Sequence, residues 1–302
     1  MAILELDWHQ RVVWKLAPWT TLGRAIVAAT QRLEEAGSET ANLDAQVLLA
    51  HLVGEDRAWL FAHYDHKLDP DQTERYAELV ARRAAAEPVA YLVGHREFYG
   101  IDLLVDPRVL IPRPETELLV DAVLDHIDSR PDPQIRMVDV GTGSGAIALA
   151  VAANCPTATI YAVDLSADAL AVAGANVERL GRQDRITLLQ GDLLAPLPET
   201  VDIIAANLPY IASPVYATLA PDVRDYEPRL ALEAGPQGLD TIFRLLSQAA
   251  SHLNRGGVIF LEIAHDQGQA VLEIAHAVLP QATTVALHQD YHGLDRLVVI
   301  GL

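Results

Sequence analysis

Residues 205–211 read Ala-Ala-Asn-Leu-Pro-Tyr-Ile and follow a short apolar run, Val201-Asp202-Ile203-Ile204-Ala205-Ala206. The run has the length and character of a buried strand, so an amide, a stiff ring and a phenol stand where a strand ends. In an open α/β sheet the carboxyl ends of strands are where ligands bind. The Asn207 side chain offers one acceptor oxygen and the Leu208 carbonyl a second. Pro209 fixes its own φ and biases Leu208 to an extended shape, which holds that carbonyl in place. Two fixed acceptors can grip both hydrogens of a planar amino group, with Tyr210 lying flat on its plane. The same residues also suit an ordinary strand-to-loop turn, so the upstream residues decide between the two.

Three acidic or glycine-rich stretches bear on that choice. Asp139-Val140-Gly141-Thr142-Gly143-Ser144-Gly145-Ala146 joins an expected strand, 135–140, to an expected helix, 144–153. Its glycines permit a tight turn and close approach of a ligand to the backbone. The pattern is G-x-G-x-G, neither the dinucleotide G-x-G-x-x-G nor the P-loop, which weakens a phosphate-cradle reading. Asp164 ends the second strand, roughly 20 residues on, where an acid can take both ribose hydroxyls. Gly191-Asp192-Leu193 ends the third, where a carboxylate can accept from the exocyclic amine of an adenine. Each acid alone is an ordinary cap or surface residue; acids at the ends of successive strands are far more specific.

The elements that position these residues follow from hydrophobic spacing. From 131 onward strands and helices alternate: strands at 135–140, 159–163, 186–190, 201–206, 258–263, 283–288 and 294–300, helices at 144–153, 167–180, 239–253 and 267–279. Such alternation predicts an α/β fold, a mostly parallel sheet of seven strands with helices on both faces. The last two strands have no helix between them, so the final one is expected to be antiparallel. Ser166 is a fair N-cap. Residues 20–87 carry helical spacing, with Gly37 and Gly54 as helix ends and Asp69-Pro70-Asp71 as a helix start. Between them, 88–112 reads as a β-hairpin linker turning at Gly100. Pro112-Arg113-Pro114 makes a stiff piece suited to the wall of a site, and a helix begins over Glu115–Asp121. The expected domains are therefore 1–87, a tail and a helical partner-docking or lid domain, then 88–112, the linker, then 113–302. In the tail, Trp8, Trp14 and Trp19 are candidates to staple it to the body.

Composition narrows the class. At 302 residues and 51% hydrophobic, the chain can bury a sizeable core. One cysteine, Cys155, excludes an internal disulfide and fits a reducing, cytoplasmic setting. The N-terminus lacks the basic start and apolar stretch of a signal peptide, and no run is long enough to span a bilayer. A net charge of -19 argues against direct nucleic-acid binding. His63, His66, His288 and His292 lack the companions a metal site needs, so no metal is expected.

Taken together these residues resemble a known family. The glycine loop, Asp164 and Asp192 look like the S-adenosylmethionine site of Rossmann-like class I methyltransferases. Asn207-Leu208-Pro209-Tyr210 resembles the N-P-P-Y motif of enzymes that methylate planar amino nitrogens. Residues 88–98, Ile111–Glu117, Glu227-Pro228, Leu230–Leu232, Glu262-Ile263 and Asp290–Arg296 are similar to the PrmC/HemK family. The resemblance implies transfer of methyl from S-adenosylmethionine to the glutamine N5 in the Gly-Gly-Gln motif of class I peptide-chain release factors. It implies Asn207, Leu208, Pro209 and Tyr210 as the reaction residues. Cofactor contacts would come from Gly141, Thr142, Gly143, Ser144, Gly145, Asp164, Asp192, Leu193 and Asn207. It places Glu115 and Glu117 beside the substrate channel and makes the helical domain the docking element. Leu208 replaces the family's first proline, but the role assigned there uses only the backbone carbonyl. Gln237 and Ala264 also depart from the pattern, in loops. Methylation of a ribosomal protein, adenine N6-methylation of nucleic acid, and a non-catalytic binding module are the competing readings.

Overall fold

The computed structural model describes residues 2–6, 12–130 and 134–302. Trp8 lies outside the described residues. The chain divides into two compact units, one reaching to Gly94 and including Pro221–Tyr226, the other holding the remainder from His95.

In the first unit, strands β1 (Ala2–Leu6) and β2 (Val12–Leu16) pair antiparallel. Helices α1 (Leu22–Glu35), α2 (Ala41–Val53), α3 (Arg57–Ala62), α4 (Pro70–Ala84) and α5 (Val89–Val93) follow. Leu22, Ile26, Ala29 and Leu33 form one buried stripe of α1, packing with Leu48 and Leu49 of α2 and Tyr76 and Val80 of α4. Asp69 caps α4 in a reciprocal box with Gln72, and Gly54 ends α2 at φ +76°. Trp14 packs on this core, whereas Trp19 is exposed, so among the described tryptophans only Trp14 ties the tail down.

The second unit opens with a hairpin of β3 (His95–Phe98) and β4 (Ile101–Leu104). Its two-residue turn has both Tyr99 (φ +51°) and Gly100 (φ +74°) left-handed, the arrangement whose twist matches paired strands. The hairpin is shorter than the stretch read as a linker, because 89–93 closes into a helical turn ended by Gly94. A 3-10 turn, Pro114–Thr116, leads into α6 (Glu117–Asp128). Then come β5 (Arg136–Val140), α7 (Ala146–Asn154), β6 (Thr159–Asp164), α8 (Ala167–Arg179), β7 (Ile186–Gln190) and β8 (Val201–Ala206). Short helices α9 (Ser213–Tyr216) and, in the first unit, α10 (Pro221–Arg224) precede α11 (Asp240–Ala249), β9 (Leu253–Glu262), α12 (Gly268–Val278), β10 (Thr284–Gln289) and β11 (Asp295–Gly301).

The seven strands run in the order β10-β11-β9-β8-β5-β6-β7. Pairs from β9 through β7 are parallel, and β11 is antiparallel to both its neighbours, as its helix-free connection requires. Strand parity separates two cores. Met137, Ile203, Ala205, Val258 and Phe260 face α6 and α7, while Val138, Val140, Ile204, Ala206, Ile259 and Leu261 face α11 and α12.

One buried amide ties the hairpin to this body. Asn176 of α8, fully buried, accepts from the Leu104 N–H at 2.7 Å and donates to the Leu104 and Ser144 carbonyls, each at 2.9 Å. Asn176→Ala would strand three backbone groups, so chemical denaturation should show a loss of ~3 kcal/mol.

Candidate active site

Parallel pairing sets the strand ends level. Val140 of β5 lies opposite both Val163 of β6 and Ala206 of β8, and Asp164 lies opposite Gln190 of β7. Their carboxyl ends therefore open on one region. There Gly141, Gly143, Asp164, Asp192, Leu193, Asn207, Leu208 and Pro209 line a single cleft. Thr142 and Ser144 line a smaller adjoining one with Thr116, Arg113 and Phe98; Gly141, Gly143, Leu110 and Asn207 border both. Gly145 and Tyr210 border neither cleft. Gly145 caps α7 beside Ala173 of α8, and Tyr210 packs partly buried against the α11 and α12 core.

The glycine loop is held by the neighbouring strand. The Gly141 and Thr142 N–H groups donate to the Val163 carbonyl at 2.8 and 2.9 Å. Gly143 N–H donates to Asp164 Oδ2 at 2.9 Å, and Ser166 N–H to Oδ1 at 2.9 Å. Burial pushes the Asp164 carboxyl above its usual range, while those backbone N–H groups pull it back. Ser166 caps α8 by accepting from Ala169 N–H. Beneath the loop, fully buried Asp139 accepts from the Thr142 hydroxyl at 2.7 Å and from Ala148 N–H at 3.1 Å. Its burial drives its carboxyl up to about 6. Thr142 thus spends its hydroxyl on Asp139.

Asp192 pairs with Arg244 of α11, a contact with no signal in local spacing. Leu193 follows at φ +53°, a costly conformation for a branched side chain and one that clusters at ligand sites.

Asn207 is oriented by a partner on another element. Its Nδ2 donates to the Thr116 hydroxyl oxygen at 2.9 Å, which directs Oδ1 away from Thr116. Parity explains the meeting: Asn207 continues the α6-facing side of β8, and Thr116 ends the turn that starts α6. Leu208 falls on the opposite face and is buried with Val140 and Ile263. The Tyr210 carbonyl accepts from Gln267 Nε2 at 2.9 Å, and its buried phenol is pushed up to about 12. Arg113, in the stiff Pro-Arg-Pro piece, pairs with buried Glu227, which also accepts from Ile111 N–H at 3.1 Å. That carboxylate ties the 110–113 wall to the start of the segment 228–233, which also lines the cleft. Glu227 and Thr116 entered the sequence reading only as members of motifs similar to the family, with no partner assigned, and Arg244 did not enter it. A charged residue ending an apolar strand, Glu262 in Val-Ile-Phe-Leu-Glu, was a legible signal. Among the described residues no group of three or more His, Cys, Asp or Glu is arranged to hold a metal.

The chain matches the PrmC N-terminal domain family over residues 24–94 and the methyltransferase small domain family over residues 115–219. It is 46% identical to the release factor glutamine methyltransferase of Moorella thermoacetica over 91% of this chain and 96% of that one. With the protein of the same name from Rhodopirellula baltica it shares 45% identity over 82% and 84% of the two chains. Among solved structures it is similar to the hMettl16 catalytic domain in complex with a MAT2A 3′UTR hairpin. That match has a TM-score of 0.55 at 17% identity over 74% of this chain and 81% of the other, a likeness of fold. The chain belongs to the release factor glutamine methyltransferase family.

Proposed function

We propose that this protein transfers a methyl group from S-adenosylmethionine to the side-chain amide nitrogen of the glutamine in the Gly-Gly-Gln motif of class I peptide-chain release factors. The observation that carries the reading is the Asn207 amide. Its nitrogen donates to Thr116, which turns its oxygen away from Thr116, and the residue stands at the border of both clefts.

The residues present fit the cofactor. Asp164 stands at a strand end within the cleft, suited to ribose hydroxyls, and Asp192 with Leu193 to an adenine edge. At Gly141 a Cβ would stand 3.1 Å from a Leu208 methyl, so glycine keeps the passage between loop and Asn207 open. Bound S-adenosylmethionine supplies a methyl group activated on a sulfonium.

The chain's own task is set by the chemistry of an amide. The nitrogen lone pair of a carboxamide is shared with its carbonyl, which makes it a poor nucleophile. Asn207 Oδ1 and the Leu208 carbonyl accept its two hydrogens and so favour a pyramidal nitrogen with its lone pair directed at the methyl. This is positioning and preorganised electrostatics. No strong base is needed beforehand, because the methylated amide cation sheds its proton readily. Tyr210 borders neither cleft and packs against the α11 and α12 core, which leaves it out of the amide-covering role read for it from sequence.

The helical unit docks the release factor, a role supported by the match to the PrmC N-terminal domain. A cytoplasmic setting fits the one buried thiol, and among the described residues no helix is long and apolar enough to cross a membrane. The strongly acidic charge disfavours direct nucleic-acid binding.

Labelled S-adenosylmethionine with purified release factor should give labelled protein, and the Gln-to-Ala variant at Gly-Gly-Gln none; label on both overturns the site. Asn207→Ala should cost at least ~10²-fold in turnover with cofactor affinity nearly kept; wild-type turnover excludes the role. Asp164→Ala should weaken cofactor binding by about tenfold, read by calorimetry. Deleting residues 20–87 should spare cofactor binding and abolish methylation of intact release factor; full activity removes docking from that unit.

A further inference from the structure

The Thr116 hydroxyl that receives the Asn207 amide has a second polar neighbour, a buried carboxylate. Thr116, buried, and Tyr210 lie beside this carboxylate, that of Glu262, each with its hydroxyl as the nearby polar group. Ala206 of β8 lies opposite Leu261 of β9, so the next residues, Asn207 and Glu262, sit side by side at the sheet's carboxyl edge. Glu262 is 3% exposed, and its Oε2 has no hydrogen-bond partner among the described residues. A half-satisfied buried carboxylate is costly to keep for stability alone, and such groups gather at functional sites.

A hydroxyl has one proton to give. Facing an ionised carboxylate, the Thr116 proton goes to Glu262 and its lone pairs face Asn207. Asn207 must then present Nδ2 to Thr116 and Oδ1 to the cleft. With Glu262 protonated, the carboxyl itself donates to Thr116, whose proton is freed to turn to Asn207. The amide then gains by flipping, and would present an N–H, not an acceptor, to an incoming amino group. We propose that Glu262, acting through Thr116, is a positioning residue that fixes the rotameric sense of the Asn207 amide for methyl transfer. The proposal rests on the function given above.

The groups facing Glu262 are Thr116 and Glu115 from the turn before α6, Tyr210 from the loop after β8, and Arg296 from β11. Burial raises its carboxyl to about 7; the hydroxyls of Thr116 and Tyr210 and the charge of Arg296 oppose that, while Glu115 adds to it. The productive, ionised form is therefore lost as pH falls through neutrality.

The test compares full-length wild type, Glu262→Gln, Thr116→Ser and Thr116→Val. Single-turnover methylation of release factor is followed from pH 5.5 to 9, with cofactor affinity measured alongside. Wild-type rate should fall on the acid side with a midpoint near 7. Glu262→Gln should be slower by roughly 10²-fold and lack that limb, Thr116→Val should match it, and Thr116→Ser should restore most of the rate. All four should bind cofactor alike. A Glu262→Gln enzyme with the wild-type rate and the same acid limb overturns the proposal. An independent readout is the Asn207 side-chain NH2 pair in a ¹H–¹⁵N spectrum, assigned by its loss in Asn207→Asp. It should shift through the same midpoint in wild type and not in Glu262→Gln; a pair that ignores both changes also overturns it. A wild-type protein that leaves release factor unmethylated while this pair titrates would defeat the substrate reading and uphold the positioning role.

Discussion

The glycine loop and the Asn207–Leu208 segment touch across two paired strands, and the rest of the site depends on that approach. A side chain at Gly141 would press on a Leu208 methyl at 3.1 Å and lie 3.6 Å from the Asn207 carbonyl. The proximity comes from β5 lying beside β8, although 60 residues of chain separate the two. Parallel pairing forces a crossover between neighbours, so strands far apart in sequence end together. One end of the sheet thereby collects a loop, two acids and an amide into a single cleft.

That edge also concentrates buried polar groups, which are held by different means. Asn176 makes three hydrogen bonds and joins the hairpin to the glycine loop. Asp139 is satisfied at one oxygen by Thr142 and Ala148, with Oδ1 unpartnered among the described residues. Glu227 ties the stiff 110–113 wall to the segment that follows it at 228–233. In a low-dielectric setting such groups define a geometry more sharply than apolar contacts do, because each alternative leaves a donor or acceptor unmade.

Much of the fold was readable from local pattern. The seven strands and the helices between them fall within a few residues of where hydrophobic spacing puts them, since period and burial are local properties. Boundaries moved where caps and pairing intervened. The helix after the glycine loop starts at Ala146, not 144, because Gly145 occupies the cap. The strand ending at Glu262 begins at Leu253, five residues early, through pairing with Val201. The segment 89–93 closed into a helical turn that a stretch of mixed spacing did not disclose. Of the site, the residues at strand ends were legible because glycine, acid and Asn-x-Pro-Tyr chemistry is written in residue type. Their partners were not. Arg244 lies 52 positions from Asp192, and Thr116 lies 91 from Asn207.

By itself the amino-acid sequence determined which side chains can accept from an amino group, which backbone stretches can bend tightly, and that alternating strands and helices build a parallel sheet. Those are consequences of covalent structure and local periodicity. Tertiary structure alone decided which end of the Asn207 amide meets Thr116. An amide is nearly symmetric in shape, and only a hydroxyl and a carboxylate brought in from other elements distinguish its nitrogen from its oxygen.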